Sequence, residues 1–177
     1  MANGVKGLDK LMKKYGDLAT AAAGPGLIKA VGASTKLIRA EARDACLVKS
    51  GELKQKIRIS TEQQDEKVIG TVYTNVKYAP YIEFGTGPKG EKNHEGISPL
   101  VTSVYSQSPW WIHESQIDVE TAEKYHWFYI DTKKGRFYQC SGQAAQPFLY
   151  PALKNNEDRV TRNISNYVAR EIRKACN

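Results

Sequence analysis

Three cysteines are too few and too scattered to frame this chain. Cys46, Cys140 and Cys176 are an odd number without paired spacing, which argues against a disulfide scaffold or a zinc site. They are read as reduced thiols, two of them buried and Cys176 at a frayed end. No apolar run approaches the roughly 20 residues that a membrane helix needs, so no spanning segment and no membrane partner are expected. The first residues, Met1-Ala2-Asn3-Gly4-Val5-Lys6, lack the apolar centre of a secretion signal. The expectation is a protein that stays in the cytoplasm where it is made. Internal repeats and low-complexity tracts are also missing.

The chemistry of common active sites is equally sparse. His94, His113 and His126 have no metal-ligand spacing, and His113-Glu114 lacks the second histidine of a zinc helix because Ile117 stands in its place. There is no Gly-x-Ser-x-Gly elbow. Cys140 and His126 read as a packed thiol and a surface imidazole, not a nucleophile and its base. Asp118 and Glu120 read as charges at a helix start. Gly85 and Gly90 give the run from Thr86 to Lys92 a superficial likeness to a phosphate loop, but Glu91 occupies the lysine position and Pro88 removes an N–H donor. Catalysis, nucleotide binding, cofactors and metals are therefore not expected.

Net charge is +7, from 26 basic and 19 acidic residues. The cations are dispersed rather than blocked, and neither a helix-turn-helix nor a zinc-finger pattern occurs, so sequence-specific DNA reading is not expected. Contact with a phosphate backbone passing nearby stays open.

What is present is a strong alternation of helical and strand periodicities in 177 residues, 41% of them hydrophobic, enough for a real core. Leu8, Leu11, Met12, Tyr15 and Leu18 predict a helix over about 7–22 that Gly24-Pro25-Gly26 breaks. Leu27, Ile28, Val31, Ile38, Ala42 and Ala45 predict a second over 27–45 with a basic back. Leu53, Ile57 and Ile59 alternate with Lys54, Lys56 and Arg58, which predicts a strand from Leu53 to Ser60 with one apolar and one basic face. That basic row is either a solvated face or a contact for an acidic partner. Val68 to Thr74 should pair antiparallel with this strand.

Pro80 is expected to open a short helical turn after an extended Tyr78-Ala79, with Gly85 and Gly87 providing left-handed exits. Tyr81, Ile82 and Phe84 cannot all face inward from one turn, and Glu83 needs a partner if buried. Beyond it, the run from Ser98 to Ser108 carries no clear period. Trp110-Trp111 in extended chain project to opposite faces, Asp118 starts a helical turn through Lys124, and 127–130 pairs with 136–140 through Asp131-Thr132-Lys133-Lys134-Gly135. From about Pro151, Leu153, Val160, Ile164, Tyr167, Val168 and Ile172 predict a long helix, with Asn155 or Asn156 as a second cap inside it. Arg159, Arg162, Arg170 and Arg173 gather on its other side, either a solvated helix back or a contact for acidic partners or DNA.

Three segments carry a family resemblance. Val76-Lys77-Tyr78-Ala79-Pro80-Tyr81-Ile82-Glu83-Phe84-Gly85-Thr86 resembles the central motif of the tail-completion, or head–tail joining, proteins of tailed bacteriophages. Lys49-Ser50-Gly51-Glu52-Leu53 resembles that family's turn before its first strand. Gln146-Pro147-Phe148-Leu149-Tyr150-Pro151-Ala152-Leu153 resembles its closing Pro-Phe-Leu-x-Pro-Ala-Leu element. Ser50 replaces the usual Thr, Cys46 stands where a proline often precedes the turn, and about 88–139 is longer than the family core needs.

The combined reading is an α+β chain of one domain over 1–177, with N-terminal helices and a long C-terminal helix packed on an antiparallel sheet, and a partly β insertion at about 88–139. The resemblance implies a structural virion subunit of the tail neck, one of six copies in a ring around the DNA channel, beside tail-terminator, tail-tube or head-connector proteins. It would assemble in the host cytoplasm. Within that reading Trp110 and Trp111 are candidate partner contacts. The alternative is a nucleic-acid-binding module using Lys54, Lys56, Arg58 and the helical arginines; a hydrolase built on the insertion's histidines would need a pocket.

Overall fold

The computed structural model describes residues 10, 12–17, 24–46, 51–65, 67–93 and 96–176. Helices and antiparallel strands make it an α+β chain with a long C-terminal helix, as the periodicities predict. Of the first expected helix, residues 10 and 12–17 are described and helical; the rest lies outside the described residues, as do Lys49 and Ser50. The chain divides into two compact units, Met1–Asn75 with Ala152–Asn177, and Val76–Pro151.

In the first unit, helix α1 spans Pro25–Ala45. Pro25, expected to lie in the break, instead opens the helix, where its fixed φ and missing N–H do no harm. Ile38 and Ala42 are buried on its inner face beside Ser34 and Thr35, and the Thr35 hydroxyl donates back to the Val31 carbonyl at 2.8 Å. Strands β1 (Arg58–Gln64) and β2 (Lys67–Tyr73) form an antiparallel pair in unbroken register from Arg58↔Tyr73 to Gln64↔Lys67. The hairpin lies against α1. Gly70 makes that approach possible, since a Cβ there would sit 2.1 Å from Thr35 Oγ1.

The expected strand start at Leu53 is corrected. Glu52–Lys56 is a short helix, α2, entered through Gly51 at φ 76°. Leu53 and Ile57 are both buried. Their four-residue spacing suits one helical turn as well as one strand face, and the left-handed Gly51 decides for the turn. Lys54 and Lys56 consequently leave the strand face: Lys54 reaches Asp44 at 3.5 Å and Lys56 pairs with Glu52 at 2.5 Å within α2.

The second unit opens with α3 (Ala79–Phe84) and α4 (Gly87–Glu91). Strand β3 (Trp110–His113), a 3₁₀ turn at Glu114–Gln116 and helix α5 (Val119–Lys124) follow, then β4 (Tyr129–Thr132) and β5 (Gly135–Cys140). The three strands are antiparallel in the order β3–β5–β4. Tyr138 pairs with both Ile112 and Tyr129 and is fully buried. Alternation therefore turns Trp111, Phe137 and Ile130 to the opposite face. Asp118 starts α5 as expected, and the Thr121 hydroxyl donates to its carboxylate.

The C-terminal element begins earlier than expected and is two helices. Helix α6 spans Leu149–Lys154 and α7 spans Glu157–Cys176. The break falls at the Asn155-Asn156 pair that the sequence marks as a cap: Asn156 is buried, its side-chain amide donates to the Ala152 carbonyl at 2.9 Å, and its own carbonyl receives Val160 N–H. Helix α7 packs on α1, with the Tyr167 ring over Gly26.

Candidate functional site

The turn at Pro80 and the Pro-Phe-Leu-x-Pro segment, 65 residues apart, are fastened together by Glu83. Its side chain is 5% exposed. Oε2 accepts the N–H groups of Phe148 at 2.7 Å and Leu149 at 3.0 Å, and Oε1 accepts that of Tyr150 at 3.0 Å. Those donors precede and open α6, where backbone N–H groups have no partner within the helix. A carboxylate is the suitable acceptor, since it offers only lone pairs and its charge favours a helix N-terminus. Glu83 thus has the partner that burial demands, and that partner is backbone.

Local backbone supports the arrangement. Tyr78, expected to be extended, instead adopts φ −90° and ψ −5° as the residue before α3, because Ala79 N–H turns back to the Val76 carbonyl. Ala79, small and buried, fits before the proline, and Pro80 takes an early helical position. After Phe84, Gly85 at φ 76° has Ala145 N within 2.7 Å of where a Cβ would stand, so a side chain is excluded by both backbone angle and space.

Further bonds secure the same face. Thr86 and Gln143 exchange backbone hydrogen bonds at 2.9 and 3.1 Å, and the Gln143 side chain donates to the Tyr81 carbonyl at 2.7 Å. Gln146 N–H donates to the Ile82 carbonyl, and the Tyr105 hydroxyl to the Phe84 carbonyl at 2.5 Å. Gln143, Ala145 and Tyr105 were not singled out from the sequence. Gly142, at φ 84° with Thr86 O in the place of a Cβ, joins Gly85 as a glycine that marks such close approach.

Large apolar side chains stand at the edge of this clasp. Tyr81 is 59% exposed, Pro80 is exposed, and Tyr78 is at the margin of exposure; Phe84, Thr86, Pro147 and Pro151 are half-buried, and Phe148 fully buried. A groove of about 540 Å³ runs between Tyr81, Val104, Tyr105 and Trp110. Trp110 and Trp111 take opposite faces as predicted: Trp110 lines that groove, whereas Trp111 is 43% exposed with its ring 6.0 Å from that of Phe128. At the sheet's other edge Arg136 lies over the Tyr129 ring at 4.0 Å and bonds Asp131 at 2.8 Å, which pushes its guanidinium pKa further up.

The remaining candidates belong to the first unit. Arg58 begins β1, Lys54 and Lys56 sit in α2, and Arg159, Arg162, Arg170 and Arg173 are exposed along α7. No cluster of three metal-capable side chains occurs among the described residues, and none of their helices is long and apolar enough to cross a membrane.

Among the described residues the one buried carboxylate, Glu83, is committed to backbone donors, and Tyr81 and Trp111 are exposed aromatics of this unit. Residues 8–85, a little under half of the chain, match the HK97-gp10-like family, described as "Bacteriophage HK97-gp10, putative tail-component". The match ends within the Tyr78–Thr86 motif and agrees with the resemblance to phage tail-completion proteins. What this part of the chain is similar to is therefore a family described as a bacteriophage tail component. No curated protein and no solved structure gives a significant match.

Proposed function

We propose that this chain is a neck subunit, completing the tail and joining it to the head connector as one member of a ring around the DNA channel. The observation that carries the reading is the family match running into a clasp that Glu83 closes. A locked turn presenting an exposed Tyr81 gives a preorganised apolar contact, and aromatic anchors on rigid supports are efficient interface residues. Copies contacting head to tail close into a ring when the rotation between them divides a full turn. Six copies, and tail-terminator, tail-tube or head-connector neighbours, come from the resemblance to tail-completion proteins. In this reading the chain is one functional domain whose insertion at about 88–139 reaches a neighbour through Trp111, it acts by binding alone, and it assembles in the host cytoplasm before entering the virion.

The test is removal of the coding sequence from a producing phage, with particles viewed by electron microscopy. Filled heads and separate tails, restored to joined particles by the intact chain, are the expected result. Joined, infectious particles lacking the chain would overturn the reading.

A further inference from the structure

Helices α1 and α7 meet along a groove of about 420 Å³ whose floor is made by Ala30 and Ala33. Its lips are cationic and amide: Lys29 on α1, and Asn163, Asn166 and Arg170 on α7. The α7 lip extends in both directions, because Arg159, Asn163, Asn166, Arg170 and Arg173 recur at steps of three or four residues and so share one helical face. Each step advances about 5 Å along the axis. On α1, Lys36 lies seven residues, about two turns, beyond Lys29 and so on the same side of the helix. No carboxylate falls in either row. Glu171, beside the row, meets Arg170 at 3.4 Å and Lys174 at 2.9 Å, and the Lys174 hydrogen bond holds its carboxyl below the usual range.

Most of this charge has no partner among the described residues. Lys29, Lys36, Arg159 and Arg173 are exposed and make no ion pair or side-chain hydrogen bond with the described residues. Arg170 differs from these four, sitting 5.4 Å over the Tyr167 ring and pairing with Glu171 at 3.4 Å.

We propose that this groove binds the phosphodiester backbone of double-stranded DNA without reading its sequence. Guanidinium, ammonium and amide donors repeated along a straight helix suit a polymer of regularly spaced anions, and these are the groups that contact phosphate. An acidic protein fits less well, because a protein interface draws its affinity from buried aromatic anchors. Tyr167, the one aromatic here, is half-buried with its hydroxyl turned onto Gly26. The proposal rests on the charge geometry and not on ring formation.

The experiment measures fluorescence anisotropy of a labelled mixed-sequence duplex of about 24 base pairs titrated with the full chain, a length that presents more phosphates than the groove can engage. Engagement of about four phosphates predicts a roughly 150-fold loss of affinity between 50 and 200 mM salt. The double variant Arg159→Ala, Arg170→Ala should lower the magnitude of the log–log salt slope by about 2 and weaken binding at 50 mM salt at least about tenfold. Lys133→Ala with Lys134→Ala, which removes equal charge from the exposed β4–β5 turn, should change binding by less than about twofold. Circular dichroism checks that both variants remain folded. Absence of binding, equal losses in the two double variants, or binding of polyglutamate in place of the duplex would each overturn the proposal. Head–tail joining is scored on particles, so either idea can fail without the other.

Discussion

Replacing Glu83 by alanine tests the central feature of the second unit. The substitution removes an acceptor from three N–H groups at once, one of them in a fully buried residue. A buried donor left without a partner costs about 1 to 3 kcal/mol. Loss of a side-chain cap at a helix start costs about 1 kcal/mol more. Water entering the vacated space recovers part of this, so a net loss of about 3 kcal/mol is expected for Glu83→Ala. For a chain of this size that lowers the melting temperature by about 6 to 12 °C. Glu83→Gln keeps the shape and one accepting oxygen, which can serve Phe148 and Leu149, but turns an NH₂ toward Tyr150 N–H; about 1 to 2 kcal/mol should be lost. Differential scanning calorimetry gives the ordering, and amide hydrogen exchange locates it, with protection at Phe148, Leu149 and Tyr150 falling most. An alanine variant that melts within about 1 °C of the parent, with those three amides still protected, would refute the reasoning.

Other expectations follow from the same geometry. Trp110→Ala, which empties one wall of the groove beside Tyr81, should cost about 2 kcal/mol in thermal unfolding, whereas Trp111→Ala should cost under about 1 kcal/mol and instead reduce incorporation into particles. If Trp111→Ala protein is incorporated normally, Trp111 is not an anchor. Gly85→Ala sets a side chain against the Ala145 backbone at a left-handed angle, and a loss of at least about 2 kcal/mol in denaturant unfolding is expected; full stability would show that the turn relaxes freely. The hydrogen bond and charge of Lys154 hold the Glu157 carboxyl below the usual carboxylate range. Its contribution to stability is therefore present above the ordinary glutamate range and disappears as pH falls through the lowered value. Carbon-detected NMR titration should show that midpoint rising in Lys154→Ala; an unchanged midpoint would exclude the pair as the cause.

Local chemistry alone determined the elements whose residues decide their own conformation. The 3.6-residue period of α7, the Asn155-Asn156 interruption before Glu157, the Asp118 start of α5 and the opposed faces of Trp110 and Trp111 need nothing distant. Where a pattern satisfies two periods, sequence could not choose. Leu53 and Ile57, four apart, share a face in either a strand or a helix, and the left-handed Gly51 that selects the helix is read from the backbone. Glu83 posed a sharper limit. Its need for a partner was legible from a carboxylate set between Ile82 and Phe84, yet its partners are backbone N–H groups, which every non-proline residue possesses and which no side-chain identity announces. Only the fold brings Phe148–Tyr150 to it. The same holds for the cations: their helical faces follow from spacing within α1 and within α7, but the groove exists because buried Ile38 and Ala42, Gly26 beneath Tyr167, and the half-buried Val160 and Ile164 belong to a packing that lays the two helices side by side. Periodicity tells each helix which side to hide; which other helix hides it is a property of three-dimensional packing.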